Sequence, residues 1–239
     1  MGSVLKVRYL IKFTKESNIK FISHLDLMRT IQKIVRRTDL KPKYSKGFNP
    51  HMALSIAQPL SVGVYSSGEY MDLILDEEAD ENEVITKLND KTASGIRFLA
   101  AKKIIEVENQ KKLPQGMALI DACRYVIKIK YISIEDIEIN MKKLLEKEQW
   151  VTLKKSKKGE KEVDIKPYIL EFKYWVKENY LVINTVLKSG SREHLSADLL
   201  VSYIKNNTTN PDNNAFVDIK REEMYFIKEG KLIPLYNCR

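Results

Sequence analysis

One order of secondary-structure elements occurs twice along the chain, and it constrains the fold more than any other feature of the sequence. The spacing of apolar residues in the first half predicts strand, helix, two strands, helix and strand, at 4–14, 23–37, 52–57, 69–75, 81–91 and 96–104. The second half repeats this order at 125–131, 133–147, 149–154, 168–187, 196–205 and 215–227. Equivalent elements lie about 110 residues apart, which indicates an internal duplication.

A strand-helix-strand-strand-helix-strand unit of this size is typical of the ferredoxin-like arrangement. The sequence therefore predicts an α+β protein with two tandem ferredoxin-like (βαββαβ) domains, 1–112 and 113–239. Pro114 and Gly116 interrupt a polar stretch at the join. Both first helices open with a serine followed three residues later by an acid, in SHLD at 23–26 and SIED at 133–136. Each serine is predicted to be the N-cap of its helix.

The charge of the chain favours a polyanionic partner. The net charge is +9 over 239 residues, which is a common property of nucleic-acid-binding proteins. Two cysteines, Cys123 and Cys238, are too few for a disulfide framework or a thiolate metal site. The sequence has no signal-peptide pattern and no apolar run long enough to span a membrane, so we expect a cytoplasmic protein without a membrane partner.

The first helix carries a basic stripe. On a helical wheel, its apolar residues fall within an arc of about 120°. The opposite arc holds four cations: Arg29, Lys33, Arg36 and Arg37. This stripe is either an ordinary solvated helix face or a surface that contacts a phosphate backbone, and the scarcity of acids within it favours the second interpretation.

His24 and Asp26 invite a general-base hypothesis, because a carboxylate can orient an imidazole. Residues two positions apart on a helix point about 200° away from each other, however. Asp26 is better explained as a partner of the helix N-terminus. His24 falls on the apolar side of the first turn and is expected to be partly buried.

The stretch YSKGFNPHMAL at 44–54 is the most unusual loop of the sequence. It lacks the spacing of a Walker phosphate loop, and three scattered histidines with no cysteine cluster predict no metal site. A turn shaped by Gly47 and Pro50 that presents Lys46 and His51 to an anion fits the charge. Phe48 and Tyr44 are candidates to stack on unpaired bases; alternatively, Phe48 is a hydrophobic plug beneath the turn.

A second basic loop, KKSKKGEKEVDIKP at 154–167, occupies the equivalent place in the second half. Its candidate phosphate-binding residues are Lys154, Lys155, Lys157 and Lys158. The simpler interpretation is a solvent-exposed hairpin tip. The recurrence of a basic, glycine-containing loop in both halves favours a binding role.

No motif identifies a catalytic centre or a cofactor site, since Rossmann glycines and the cysteine run of an iron–sulfur cluster are both absent from the sequence. Reserve candidates for catalysis are His24, Asp26, His51, Glu69 and Asp72, provided that they converge in space. We expect no metal and no cofactor.

Several stretches resemble a bacterial family of unknown function that is labelled radical-SAM-linked or radical-SAM-associated protein. They are RYLIKFTK, KFISHLDLMRTIQKIVRR, YSKGFNPHMALSIAQPLSVGVYSSGEYMDL and VDIKP. The similarity runs from about residue 5 into the second half and is densest over 20–75. The matching positions are His24, Asp26, Arg29, Ser45, Gly47, Phe48, Pro50, His51, Glu69, Asp72 and Asp164.

This resemblance implies a cytoplasmic bacterial protein that occurs beside, or fused to, a radical SAM enzyme, near ribosome and RNA-processing functions. It implies no activity of its own. Together with the charge, it predicts an RNA-binding accessory protein that acts with a separate radical SAM protein on tRNA or rRNA. The alternatives are an enzyme that acts on RNA through the reserve residues, and a protein-interaction scaffold.

Overall fold

The computed structural model describes residues 7–104, 113–156, 159–191 and 193–238, with only the backbone described at 155 and 156. Over these residues it contains eleven strands and five α-helices, so the fold class is α+β. The chain divides into two compact units. The first unit comprises Met1–Ile120 and Glu223–Arg239, and the second comprises Asp121–Glu222. The domains 1–112 and 113–239 stay predictions.

The first unit follows the order predicted for the first half of the sequence. Its elements are β1 (Val7–Lys15), α1 (His24–Arg37), β2 (Leu54–Ile56), β3 (Tyr65–Leu75), α2 (Glu81–Asp90), β4 (Ile96–Ile104) and α3 (Gly116–Leu119). Strand β1 lies between β3 and β4 and is antiparallel to both. Strand β2 pairs antiparallel with β3. The chain returns to this unit within β10 (Asp218–Lys228), which pairs with β11 (Lys231–Pro234).

Helix α1 is stabilised by a hydrogen-bonded N-cap and by the burial of an apolar stripe. The Ser23 hydroxyl accepts a hydrogen bond from the backbone N–H of Asp26 at 3.2 Å, an N-cap that stabilises a helix by about 1 kcal/mol. The stripe Leu27, Ile31, Ile34 and Val35 is fully buried. It packs in one core with the residues of β1 and β3 that point to the same face of the sheet, including Tyr9, Phe13 and Met71. The predicted limits of this helix are confirmed.

The second unit contains a three-stranded antiparallel group and a separate hairpin. Its elements are β5 (Ala122–Lys130), α4 (Ile137–Glu146), β6 (Val151–Ser156), β7 (Gly159–Asp164), β8 (Ile169–Lys177), β9 (Tyr180–Lys188) and α5 (Ala197–Asn206). Strand β9 lies between β5 and β8. Trp150 is buried between Tyr203, which stacks on it at 5.2 Å, and the edge of Phe172 at 5.7 Å.

The cap predicted for the first helix of the second half is wrong. Helix α4 begins at Ile137, and its N-cap residue Asp136 makes no side-chain capping hydrogen bond. Asp136 has φ −96° and ψ 0° instead of the extended backbone that N-cap residues adopt. Ser133 lies one turn earlier and accepts only a long hydrogen bond, 3.4 Å, from Glu135. The shared serine therefore does not mark equivalent helix starts.

The second basic loop is the antiparallel β6–β7 hairpin, in which Lys154 pairs with Lys161 and Ser156 with Gly159. In this region the sequence predicted one extended segment, 149–154, and therefore missed β7. Elsewhere it also missed β11 and the short helix α3. No helix among the described residues is both long and apolar enough to cross a membrane.

Candidate nucleic-acid interface

The loop after α1 is held at its base by backbone hydrogen bonds. The Ser45 N–H donates to the carbonyl of His51 at 2.8 Å, and the His51 N–H donates to the Ser45 hydroxyl at 2.9 Å. Tyr44 and Met52 form the bridge before this pair. Ser45 was not predicted to close the loop, although the resemblance includes it among the matching positions. We call residues 45–51 the closed loop.

The tip of the closed loop projects its side chains into solvent. Lys46, Phe48, Asn49 and Pro50 are all exposed, and the relative exposure of Phe48 is 111%. The alternative in which Phe48 is a plug beneath the turn is therefore wrong. Gly47 has φ +125°, a conformation that side-chain-bearing residues rarely adopt. The tip thus depends on this glycine to present an aromatic ring between Lys46 and His51.

The basic stripe of α1 is solvent-exposed, as the helical wheel predicts. Arg29, Lys33, Arg36 and Arg37 are all exposed. Arg29 forms an ion pair with Asp26 at 3.2 Å, one turn earlier. Within the described part of the chain, Lys33, Arg36 and Arg37 form no ion pair. Three of the four cations are consequently available to an external anion.

A short segment that is hydrogen-bonded to β3 connects the end of α1 to the closed loop. Arg36 and Arg37 are the last two residues of α1. The chain then passes along the end of β3, where the Lys43 N–H donates to the carbonyl of Ile74 at 2.9 Å. Lys43 lies six positions after Arg37 in the sequence, which limits the distance between their Cα atoms to about 20 Å. The helix end and the loop can therefore contact one extended ligand. Tyr44, in between, is 39% exposed.

The lysines of the β6–β7 hairpin are less informative. The Lys154 ammonium donates to the backbone carbonyl of His194 at 2.9 Å, so it has a structural partner. Lys157, Lys158 and the side chain of Lys155 lie outside the described residues. Asp164, which the resemblance includes, accepts hydrogen bonds from the N–H groups of Trp150 at 2.8 Å and Lys166 at 3.0 Å. Its visible role is to fix the end of the hairpin.

Two of the reserve catalytic residues lie on opposite faces of the sheet. Glu69 of β3 pairs with Phe13, whose ring is in the core with α1. Asp72 lies three positions further along β3 and pairs with Leu10. Residues an odd number of positions apart on a strand point to opposite faces. Both carboxyl groups are buried, with exposures of 0% for Glu69 and 3% for Asp72. The structure therefore does not bring Glu69 and Asp72 into one accessible site.

Asp72 has two partners on its face of the sheet. One carboxylate oxygen accepts a hydrogen bond from the Gly116 N–H at 2.7 Å, and the other lies 3.6 Å from Nε of Arg8. Burial raises the pKa of Asp72 more than the Gly116 N–H and the Arg8 charge lower it. This arrangement holds α3 against β3, which is a structural task.

The remaining reserve residues lie in the first turn of α1 and on the closed loop. His51 is exposed on the closed loop, and His24 is half-buried in the first turn of α1. The Nδ1 atom of His24 is buried and has no hydrogen-bond partner among the described residues. Asp26 is exposed, and its pKa is lowered chiefly by the hydrogen bond that the Ser23 hydroxyl donates to it, with a smaller contribution from Arg29. The described residues include no group of three or more His, Cys, Asp and Glu side chains that could hold a metal ion.

Comparison with known proteins identifies a family for most of the chain. A family model described as "Uncharacterized protein conserved in bacteria (DUF2344)" matches residues 8–197. No curated protein matches the chain. Among solved structures, the chain is similar to a "Crystal Structure of an Unknown Protein from Galdieria sulphuraria" at 8% identity, covering 91% of this chain and 99% of that one. Its TM-score of 0.26 is too low to support an argument about fold.

Proposed function

The chain belongs to the family of uncharacterized proteins conserved in bacteria, DUF2344, and from this premise we propose that it is an RNA-binding accessory protein. It contacts RNA through the stripe of α1 and the closed loop of the first unit. It acts with a separate radical SAM enzyme in the modification or processing of tRNA or rRNA. The observation that carries the proposal is the fully exposed ring of Phe48, on a hydrogen-bonded loop that follows three unpaired cations.

The cations supply the electrostatic part of the proposed interaction. Lys33, Arg36, Arg37 and Lys46 are exposed, and none of them forms an ion pair within the described residues. Each phosphate that such a side chain neutralises releases condensed counterions from the nucleic acid. These contacts position an RNA without reading its sequence.

Phe48 supplies the stacking part. Burying a phenylalanine contributes about 1.5–3 kcal/mol to folding, and a ring that is 111% exposed contributes none of it. Its ring is therefore available to a partner outside the chain. Stacking of a base on an aromatic ring is worth about 1–3 kcal/mol, and the neighbouring Lys46 favours a partner that carries phosphates.

An accessory role fits the positions of the reserve residues better than catalysis does. Glu69 and Asp72 are buried on opposite faces of β3, and His51 is exposed on a loop. The radical SAM partner rests on the resemblance of the sequence alone. The two cysteines of this sequence are too few to supply the cluster-binding motif of such an enzyme. A cytoplasmic location is part of the same proposal.

We also infer that each unit is a ferredoxin-like repeat. In the first unit, the strand order β4-β1-β3-β2 agrees with one βαββαβ motif. In the second, β10, β5, β9 and β8 follow one another in the sheet, and the β6–β7 hairpin is an insertion between α4 and β8. The closed loop occupies the same place between α1 and β2. A duplicated domain accounts for an inserted segment at the same place in both units.

A filter-binding titration of tRNA and of rRNA fragments tests the proposal. We expect Phe48→Ala to weaken binding by about 5- to 140-fold, the equivalent of one lost base stack, and Phe48→Tyr to retain most of the affinity. Phe21→Ala is the matched control, because Phe21 is 62% exposed and precedes the opposite end of α1. Equal affinities of Phe48→Ala and the wild type, or binding of heparin as tight as that of RNA, would contradict the proposal.

A further inference from the structure

The second unit presents a sheet face bearing a row of aromatic and basic side chains, and we propose that this face binds single-stranded RNA by stacking bases on Trp175 and Tyr180. We call it the open face. It comprises Lys173, Trp175 and Lys177 of β8, Tyr180 and Val182 of β9, and Lys128 of β5. The inference rests on the proposed RNA-binding function and assigns to it a second site with a defined substrate class.

The alternation of side chains along β8 defines the two faces. Phe172 contacts the buried ring of Trp150, and the Tyr174 hydroxyl donates to Glu138 of α4 at 3.3 Å. Lys173, Trp175 and Lys177 point to the other face, since neighbouring residues of a strand alternate in direction. Trp175 is 45% exposed there. A half-exposed tryptophan is an uncommon use of the largest apolar side chain.

The register of the strands places the aromatic rings next to each other. Trp175 is directly opposite Val182, and Lys177 is opposite Tyr180. Tyr180 is therefore the diagonal neighbour of Trp175, at about 7–8 Å. Val182 is in turn opposite Lys128 on β5. The two rings form a platform for two neighbouring bases, and Val182 is adjacent to both rings on this face.

A cavity of about 580 Å³ lies over this platform, lined by both rings together with Val126, Val182 and Lys128. This volume lies within the range of ligand sites, about 300–1,000 Å³. Asp218 and Glu178 also line the cavity. Their carboxylates are acceptors for the exocyclic amino groups of bases, as in carboxylate recognition of cytosine. The apolar floor and the polar rim thus match the flat face and the hydrogen-bonding edge of a nucleobase.

The charges along β8 match the backbone of the same ligand. Lys173 and Lys177 flank Trp175 at two positions on either side, about 7 Å away along the strand. Both are exposed, and neither forms an ion pair within the described residues. Lys128 lies only 3.8 Å from Asp218 in a partly exposed pair. A ring between two free cations suits a strand whose bases are unpaired, because the bases of a duplex are stacked on each other and have no free face.

The fluorescence of Trp175 gives a direct test. The chain contains two tryptophans, and Trp150 is 1% exposed, so quenching by an added ligand reports on Trp175. We expect a short oligouridine to quench the emission, and an RNA duplex of the same length to quench it far less. Trp175→Ala should weaken oligouridine binding by about 5- to 140-fold, while Trp175→Phe retains most of it. Ile132→Ala is the control, because Ile132 is 73% exposed in the same unit.

The outcomes separate this inference from the proposed function. If RNA binding requires Phe48 and the stripe of α1 but is unchanged in Trp175→Ala, with no quenching, then the open face does not bind RNA although the protein does. If no variant affects RNA binding because the wild type does not bind RNA, both proposals fail. If Trp175→Ala changes only the oligomeric state in size-exclusion chromatography, the face is an interface between copies of this chain, and the inference is overturned.

Discussion

Asp72 shows how a single buried carboxyl group is balanced between burial and its partners. The Gly116 N–H hydrogen bond and the Arg8 charge both favour the ionised form, but burial favours the neutral form and is the largest of the three influences. Nε of Arg8 lies 3.6 Å away and has no hydrogen-bond partner in the described part of the chain. The ion pair is therefore not reinforced by a hydrogen bond, which explains why burial prevails.

The raised pKa of Asp72 predicts how stability changes with pH. Below its ordinary pKa of 3.8, the group is protonated in both the folded and the unfolded chain. As the pH rises from there through the folded-state pKa, the unfolded chain loses its proton first, and the contribution of Asp72 to stability declines. Asp72→Asn removes this decline and keeps an oxygen that can accept from Gly116.

We expect the free energy of unfolding of Asp72→Asn, minus that of the wild type, to increase with pH from about pH 4 and then to level off. Urea titrations at a series of pH values measure this difference. The prediction concerns how this difference changes with pH. A loss of stability that is the same at every pH, caused by leaving Arg8 unpaired, therefore does not affect it. A difference that decreases with pH would show that the Arg8 charge outweighs burial.

For residues of the closed loop and of the β6–β7 hairpin, the sequence does not indicate equally well whether a side chain is free or bonded within the chain. In the closed loop, Phe48 is fully exposed and Gly47 has a positive φ, so the sequence was right to indicate a shaped turn there. Lys154 has the same signature of a basic loop but uses its ammonium to bind the His194 carbonyl. Composition cannot distinguish these cases, because the partner of Lys154 is 40 residues away in the sequence.

For whole elements, the N-termini of helices also show that a local sequence pattern does not determine which hydrogen bonds form. The S-x-x-D pattern at Ser23 and at Ser133 predicts two identical caps, yet only Ser23 accepts from the N–H three residues later. The residues after Ser133 form a preceding turn, in which the Ile137 N–H donates to the carbonyl of Ile134. A capping motif states which groups can bond, and the backbone conformation decides whether they do.

This contrast gives a matched pair of stability predictions. Ser23→Ala should lower the free energy of unfolding by about 1 kcal/mol, because an orphan N–H of α1 loses its acceptor. Ser133→Ala should change it by less than about 0.5 kcal/mol, as an ordinary surface substitution does. Urea denaturation followed by circular dichroism measures both. Equal losses would mean that Ser133 caps α4 after all.

The stripe of α1 is a surface whose function separates from its role in folding. Arg36→Ala combined with Arg37→Ala should weaken binding of every RNA by roughly tenfold at 0.15 M salt, since two phosphate contacts are lost. Stability should change little, because both side chains are exposed. Lys142→Ala with Lys143→Ala removes the same charge from exposed positions on α4 and should leave RNA binding unchanged. Equal effects of the two double variants would assign binding to net charge alone.

At the scale of the whole molecule, the sequence predicts the order of most elements because hydrophobic periodicity is local. The limits of β4, at Ile96–Ile104, coincide with the predicted strand. The sequence did not predict the open face around Trp175. Alternation along KYWVK shows that two faces differ, but which face the helices cover depends on contacts such as that of Phe172 with Trp150. Convergence of His24, His51 and the carboxylates could not be judged from the sequence either, because it depends on contacts between a helix, a loop and the two faces of β3.

The central claim is that this chain binds RNA through phosphate contacts and base stacking, and the salt dependence of tRNA binding tests it most directly. Four free cations, Lys33, Arg36, Arg37 and Lys46, predict a plot of log K against log salt concentration with a slope of about −3 or steeper. The slope should become shallower by about 1.4 in the Arg36→Ala, Arg37→Ala variant. A slope near zero, or tRNA binding no tighter than that of heparin at every salt concentration, would contradict the account.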